Sequence, residues 1–154
     1  MKNRRSVRRS GHDYTARCTY LVTICTRNRQ SLLGRIAGLR AILSAMGQAM
    51  AAEWRGLPNR FPDIGIGEFV VMPNHIHAII TVGARAGSTR TERAEVRAGA
   101  SPAPATLGHV VGAFKSLSDR RCRQLFTMSN PGRRFGRLWQ RNFHECAVHD
   151  RETL

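Results

Sequence analysis

The segment 63–82, DIGIGEFVVMPNHIHAIITV, constrains the fold of this chain more than any other part of the sequence. Two runs rich in β-branched residues, 63–72 and 75–82, are separated only by Pro73 and Asn74. Proline and asparagine are typical turn residues. Two strand-like runs joined by so short a turn predict a β-hairpin.

The second strand of this hairpin has two different faces, because side chains alternate along a strand. One face is apolar and consists of Ile76, Ala78, Ile80 and Val82. We expect that face to pack on helices, so that His75 and His77 project from the opposite face. Two imidazoles roughly 7 Å apart along a strand can bind one divalent ion. Ordinary surface histidines show the same spacing by chance, so spacing alone leaves both interpretations open.

The remaining elements follow from the hydrophobic period. Residues 20–26 (YLVTICT) predict a buried strand, and 138–148 predict a fourth strand. Two amphipathic helices are expected, one over 39–56 and one that begins after Thr106 as its N-cap. Their apolar stripes are Leu39, Ile42, Leu43, Met46, Met50 and Trp54 in the first helix, and Leu107, Val110, Val111, Phe114 and Leu117 in the second.

This element order predicts an α+β domain of the ferredoxin-like βαββαβ type, with two helices on one face of an antiparallel four-stranded sheet. The predicted organisation is a basic N-terminal arm at 1–17, a domain at 18–149, and the start of a further helix at 150–154. A flexible insertion is expected within the domain at 83–105, which is rich in Gly, Ala, Ser and Pro.

The charge balance indicates an anionic partner. The 154 residues include 25 Lys and Arg but only 10 Asp and Glu, a formal net charge of +15. A phosphate polymer is the commonest physical reason for such an excess, although an arginine-rich codon bias also contributes to it. No apolar run approaches the roughly 18 residues of a membrane span, and we expect no membrane partner. Four cysteines without metal-ligand spacing favour a cytoplasmic chain with free thiols.

Several segments together resemble a known family. EFVVMPNHIHAII (68–80) resembles the signature of the HUH single-tyrosine transposases of the IS200-like group, and more closely that of the bacterial REP-associated tyrosine transposases. The apolar middle position of the HUH motif is Ile76 here. The resemblance extends to 4–34, to PAPATLGHVVGAFKSL (102–117), and to LWQRNFHECAVHDRETL (138–154) with its Trp-Gln-Arg strand. It covers most of the chain, with several motifs in the same order.

This resemblance implies single-strand DNA cleavage and rejoining at hairpin, REP-like sequences. His75 and His77 match the ligands of a divalent metal, Mg²⁺ or Mn²⁺, which polarises the scissile phosphate. The implied nucleophile is a tyrosine that forms a 5′-phosphotyrosine and releases a 3′-OH. The implied partner is single-stranded or hairpin DNA in a bacterial cytoplasm. The sequence leaves open whether the protein is a monomer or a homodimer.

The nucleophile has no match in this chain. The family carries it on a helix after the Trp-Gln-Arg strand, so the expected tyrosine lies beyond Leu154. We therefore expect a C-terminally truncated member without a catalytic tyrosine, in which Tyr20 packs in the core and Tyr14 has a structural or DNA-contact role. A second departure is Phe143-His144-Glu145-Cys146, where relatives often have two aromatics, Glu and His. We expect His144, Cys146 and His149 to be incidental.

DNA contact is expected from scattered basic side chains rather than from one motif. The candidates are Arg4, Arg5, Arg8, Arg9, Arg27, Arg29, Lys115, Arg120, Arg121, Arg133, Arg134 and Arg141. Two alternatives to a transposase remain: a remnant that binds structured DNA or RNA without catalysis, and a ferredoxin-like metal-binding protein unrelated to DNA.

Overall fold

The computed structural model describes residues 17–83 and 105–148. Within these ranges lie six strands, three α-helices and a short 3₁₀ turn at Arg27–Arg29. The strands are β1 (Cys18–Cys25), β2 (Gly34–Ala37), β3 (Arg40–Leu43), β4 (Ile64–Met72), β5 (His75–Val82) and β6 (His144–Val148). The helices are α1 (Ala45–Arg55), α2 (Leu57–Arg60) and α3 (Leu107–Ser129).

Four strands of the described ranges form one antiparallel sheet in the order β4-β5-β1-β6. The strands β4 and β5 form the predicted hairpin around Pro73 and Asn74, and Met72 pairs with His75 at the turn. Strand β1 spans Cys18–Cys25 and confirms the predicted first strand with a shift of one or two residues. The protein is therefore an α+β fold with a four-stranded antiparallel sheet and helices.

The core lies between one face of this sheet and the helices. Alternate residues of β1 and β5 are buried, and they pack with residues of α1 and α3 in a single cluster. At its centre Trp54 of α1 meets the ring of Phe114 of α3 edge to face, with centroids 5.2 Å apart. The opposite face of the sheet is open, since Leu21 is 40% exposed and Val70 is 53% exposed. The predicted division of β5 into a buried apolar face and an open histidine face is confirmed.

The prediction of a helix over 39–56 is wrong at its start. Helix α1 begins at Ala45, and Arg40–Leu43 is a strand that pairs with β2 in a separate two-stranded sheet. Gly38, at φ +59°, makes the tight turn between β2 and β3. The hydroxyl of Ser44 accepts a hydrogen bond from Gly47 N and fixes the helix start. Leu39 is consequently fully exposed at the hairpin tip instead of lying in a helical stripe.

Helix α3 begins at the predicted N-cap, because the Thr106 hydroxyl accepts from His109 N at 3.3 Å. The predicted fourth strand is shorter than expected, since β6 covers only His144–Val148. Residues 138–143 run outside the sheet, apart from one bridge between Trp139 and Thr26. The carbonyls of Gln140, Arg141 and Asn142 accept hydrogen bonds from a lysine of α3 instead of from a neighbouring strand.

Some predictions fall outside the described residues. These are the basic arm with Arg4, Arg5, Arg8 and Arg9, Tyr14, most of the insertion at 83–105, His149, and the helix start at 150–154. In the described ranges, no helix is both long enough and apolar enough to span a membrane.

Candidate metal and nucleic-acid site

His75 and His77 lie side by side on the open face of the sheet. Their ring centroids are 4.7 Å apart and their planes are nearly perpendicular, at 84°. Both are on β5, where the alternation of side chains sends Ile76 between them into the core. The turn at Pro73 and Asn74 places His75 at the first position of the strand.

The ring of His75 is oriented by its neighbour in sequence. Its Nδ1 lies 2.6 Å from Oδ1 of Asn74. A carbonyl oxygen only accepts hydrogen bonds, so Nδ1 carries the proton and donates it. The lone pair of this imidazole is then on Nε2, which leaves Nε2 as the ligand atom.

The ring of His77 is oriented from the adjacent strand. Its Nδ1 lies 2.9 Å from Oγ1 of Thr23, which the register of β1 and β5 places directly opposite His77. When this hydroxyl accepts, Nε2 of His77 also carries a lone pair. Metal-binding histidines in proteins almost always donate their second N–H to an oxygen in this manner.

The charge state of His75 suits a ligand. Partial burial lowers the pKa of His75, and the neighbouring His77 and Arg29 lower it further. A lowered pKa keeps the imidazole neutral, and only the neutral ring binds a metal. The described residues contain no group of three His, Cys, Asp or Glu side chains that could hold a metal together. Two imidazoles alone are fewer than the ligands of a complete coordination sphere.

A set of side chains on one face of α3 fastens the segment 135–142 beside this site. The Lys115 ammonium donates to the carbonyls of Gln140, Arg141 and Asn142 at 2.8, 3.4 and 3.0 Å. Burial lowers the pKa of Lys115 to about 8, so the amine still carries its proton at pH 7. This places the predicted DNA-contact residue Lys115 against protein carbonyls.

Three further bonds attach the same segment to α3. Oδ1 of Asp119 accepts from the Leu138 backbone at 2.9 Å. The indole of Trp139 donates to Ser118 Oγ at 2.9 Å. Arg123 donates to the Phe135 carbonyl at 3.2 Å and pairs with Asp119. Residues 115, 118, 119 and 123 follow helical spacing, so one face of the helix makes all of these contacts.

The fastened segment and the end of β1 enclose a polar cleft, which we call the basic cleft. The bonds from Arg27 N to Leu138 O (2.7 Å) and from Gln140 N to Cys25 O (3.0 Å) join its two sides. None of its lining residues in the described ranges is acidic; they are Arg27, Asn28, Arg137, Trp139, Gln140, Arg141 and Asn142. Strand β1 separates the cleft from the histidines, because Gln140 bonds to the carbonyl of Cys25 on one side and Cys25 pairs with His75 on the other.

The structure separates the predicted DNA-contact residues into groups. Arg27 and Arg141 line the basic cleft together, and Arg29 lies close enough to His75 to lower its pKa. Arg121 lines a groove between α1 and α3 on the helical side. Arg120 is an exposed residue of α3, and Arg133 and Arg134 are exposed in the loop after it.

The remaining candidate residues lie either in the core or on the open face of β6. Tyr20 is 1% exposed in the core, as predicted. His144 and Cys146 lie on the open face of β6, opposite Thr23 and Leu21. Cys122 is buried in α3, where burial raises the pKa of its thiol to about 12.

Several residues that orient the histidines or line the basic cleft were not among the sequence predictions. Thr23 was assigned only to a strand, although the alternation from Tyr20 to Ile24 already placed it opposite the core. Arg137 was left out of the DNA-contact candidates, and Asn28, Gln140 and Asn142 carried no signal. They meet only because 135–142 folds back on the end of β1.

Comparisons with known proteins agree with this architecture. No family model matches the sequence. An uncharacterised protein of Haemophilus influenzae is 29% identical over 154 residues, which covers 98% of this chain and 82% of that protein. A REP-associated tyrosine transposase, solved bound to a REP hairpin, is similar over 93% of this chain, with a TM-score of 0.55 and 19% identity. A candidate transposase from Deinococcus radiodurans R1 is similar over 93%, with a TM-score of 0.54 and 16% identity.

The chain spans 64% of the length of the REP-associated transposase and 88% of the Deinococcus protein. The structural similarity to both transposases extends over nearly all of this chain, and at these identities it shows a shared fold.

Proposed function

We propose that this protein binds hairpin DNA with single-stranded flanks in the bacterial cytoplasm, as a transposase-type protein, and that His75 and His77 hold a divalent metal there. The observation that carries the proposal is the orientation of the two rings. Asn74 and Thr23 engage both Nδ1 atoms, which leaves both Nε2 atoms for a shared ligand.

The fold supports the same proposal. Counted along the chain, the four sheet strands are β1, β4, β5 and β6, and their spatial order is β4-β5-β1-β6. That order corresponds to a ferredoxin-like split βαβ arrangement, with the hairpin β2–β3 inserted before α1. We infer this topology as part of the proposal. The REP-associated transposase with a similar structure is the one solved with a REP hairpin.

The metal would be Mg²⁺ or Mn²⁺, bound by Nε2 of His75 and His77. When bound, such an ion polarises a phosphate oxygen and stabilises charge that develops on it. Two imidazoles suit Mn²⁺ better than Mg²⁺, which prefers oxygen ligands. Phosphate and water oxygens would complete the coordination. The protein's own contribution is to hold the two rings in the ligand tautomer at a fixed separation.

The reaction implied by the family is cleavage and rejoining of one DNA strand through a tyrosine. The sequence contains two tyrosines, Tyr14 and Tyr20. The Tyr20 side chain is buried in the core and cannot reach a phosphate. Tyr14 lies outside the described residues, and we keep its predicted structural or DNA-contact role, so we propose binding without covalent catalysis for these 154 residues. This observation also favours the second candidate, a binding-only remnant of a transposase.

One experiment separates these possibilities. The 154-residue protein is mixed with Mn²⁺ and a labelled DNA hairpin with single-stranded flanks, at several salt concentrations. We expect binding that weakens steeply with salt and no labelled protein on a denaturing gel. A labelled band that survives denaturation would contradict the absence of a nucleophile. Failure to bind the hairpin at low salt would contradict the DNA-binding proposal itself.

A further inference from the structure

We propose that Thr26 is a positioning residue of the metal site, because it fixes the backbone of Asn74 and thereby the nitrogen on which His75 carries its proton. This inference rests on the proposed function, since the ligand that needs a free Nε2 is the metal proposed for His75 and His77. It assigns a role to a buried residue that acts on His75 through Asn74.

Thr26 is a polar residue at a core-facing position. Alternate residues from Tyr20 to Ile24 point into the core, and Thr26 follows at the same spacing, one residue beyond β1. Its exposure is 0%, and Thr26 and Ser118 are the buried polar residues of the described ranges. A hydroxyl at such a position needs hydrogen-bond partners inside the protein, because it has lost its contact with water.

The hydrogen-bonding groups of Thr26 converge on the turn between β4 and β5. Its backbone N–H donates to the carbonyl of Asn74 at 2.9 Å. Its hydroxyl oxygen lies 2.9 Å from the same carbonyl and 2.8 Å from the carbonyl of Gln30, so these two acceptors share its single hydrogen. The neighbouring carbonyl of Pro73 accepts from the Leu33 backbone at 2.9 Å. Both carbonyls of the two-residue turn are therefore held from outside the hairpin.

A fixed backbone at Asn74 aims its side chain, because only two torsions separate that backbone from the amide. Oδ1 of Asn74 reaches Nδ1 of His75 at 2.6 Å. This bond holds the proton on Nδ1 and keeps the lone pair on Nε2. If the turn shifts, the bond is lost and the proton can move to Nε2, where it blocks the ligand position.

Thr26 also closes the turn that carries Arg29. The backbone N–H of Arg29 donates to the Thr26 carbonyl at 3.1 Å. Asn28 and Arg29 both have positive φ, at 54° and 53°, which non-glycine residues adopt infrequently. Arg29 in turn lies close enough to His75 to lower its pKa. One buried residue thus joins the two turns whose side chains act on His75.

The test separates positioning from a purely structural role. Thr26→Val removes the hydroxyl, and Thr26→Ser retains it. Asn74→Ala removes the group that orients His75, and the double variant Thr26→Val/Asn74→Ala shows whether both residues act along one route. The control is Ser118→Ala, which removes the other buried hydroxyl, bonded to Trp139 on α3's side of the core. Circular dichroism confirms that each variant is folded, and Thr26→Ala replaces a valine variant that is not.

The first measurement is the NMR shifts of the two ring nitrogens of His75 in metal-free protein, at a pH where the ring is neutral. We expect the wild-type protein and Thr26→Ser to carry the proton on Nδ1. Thr26→Val and Asn74→Ala should show a mixture of both tautomers. Ser118→Ala should resemble the wild-type protein, because its hydroxyl has no bond to the turn before His75.

The second measurement is the affinity for Mn²⁺. Loss of a partner that orients a ligand typically costs about 10- to 100-fold, and we expect a loss in that range for Asn74→Ala. Thr26→Val should lose at least about threefold, while Thr26→Ser and Ser118→Ala stay within about twofold of the wild-type protein. The double variant should bind no more weakly than Asn74→Ala, because Thr26 acts through Asn74.

Wild-type tautomer and wild-type affinity in folded Thr26→Val would overturn the inference and leave the proposed function standing. Additive losses in the double variant would overturn it as well. Equal changes in Ser118→Ala would assign the effect to stability instead of to position, with the same consequence. Absence of Mn²⁺ binding by the wild-type protein would remove the proposed metal site and this inference with it.

Discussion

Thr23 Oγ1 lies 2.9 Å from Nδ1 of His77, directly across the boundary between strands β1 and β5. The two residues are 54 positions apart in sequence, so the contact depends on the register of the whole sheet. A slip of one residue would send the hydroxyl of Thr23 into the core. The orientation of the proposed metal ligand is thus a property of the fold.

Replacement of Thr23 by Val should weaken metal binding while preserving the sheet. Valine keeps the shape and the strand preference of threonine but removes the oxygen that orients His77. Loss of such a partner typically costs about 10- to 100-fold in metal affinity. A Mn²⁺ titration measures it. The matched control is Thr19→Val on the same strand, because Thr19 bonds to Thr81 instead of to a histidine.

The titration of His75 should reflect its surroundings. Because burial, His77 and Arg29 lower its pKa, the NMR titration midpoint of His75 is expected below the ordinary 6.5. Arg29→Gln should move the midpoint upward, whereas Arg40→Gln at the distant β2–β3 hairpin should not. Because the pKa of His75 is lower in the folded protein than in the unfolded chain, the unfolded chain binds the His75 proton more tightly. The contribution to stability is therefore present above pH 6.5 and is lost as the pH falls below it. A midpoint at or above 6.5 would contradict this account.

Replacement of Lys115 by Met should destabilise the protein by about 1–3 kcal/mol, because the carbonyls of 140–142 lose their charged donor. Urea denaturation measures the free energy of unfolding. Arg120→Met, at an exposed position of the same helix, should change it by less than about 0.5 kcal/mol. Equal effects of the two substitutions would show that Lys115 does not fasten the segment.

Two glycines of the helices should respond in opposite ways to alanine. A Cβ at Gly47 would overlap the carbonyl oxygen of Leu33, so Gly47→Ala should lower the thermal midpoint. At Gly112 of α3 nothing lies within 4 Å, and Gly112→Ala should stabilise the protein by about 0.5–1 kcal/mol. A thermal midpoint of Gly47→Ala at or above that of the wild-type protein would contradict the close approach of α1 to Leu33.

The sequence predicted those parts of the fold in which a single period dominates. The alternation over 75–82 predicted both faces of β5 and the side of the sheet that bears His75 and His77. The helical period failed at Leu39 and Ile42. Their spacing continues the apolar stripe of α1, although Ile42 lies in a strand and Leu39 in the turn before it. The turn at Gly38 and the N-cap at Ser44 make the helix begin only at Ala45, and neither is visible in hydrophobic spacing.

Only those residues of the site that are neighbours along the chain could be predicted from the sequence. His75, His77 and Asn74 are adjacent, whereas Thr23, Arg137 and Gln140 join them through tertiary contacts. The resemblance to transposases predicted the two histidines as ligands, but it did not predict which side chains orient their rings. Lys115 illustrates the limit, since its charge favoured DNA contact but gave no sign of its hydrogen bonds to the carbonyls of 140–142. Composition predicts that arginines bind an anion, but only the fold shows which of them share a cleft.

The central claim is that His75 and His77 form a single divalent-metal site. Electron paramagnetic resonance of free Mn²⁺ during a titration, with hairpin DNA present, tests it most directly. The account predicts about one bound ion per chain in the wild-type protein and loss of that ion in both His75→Ala and His77→Ala. Mn²⁺ binding that is unchanged in either variant, or absent from the wild-type protein, would contradict it.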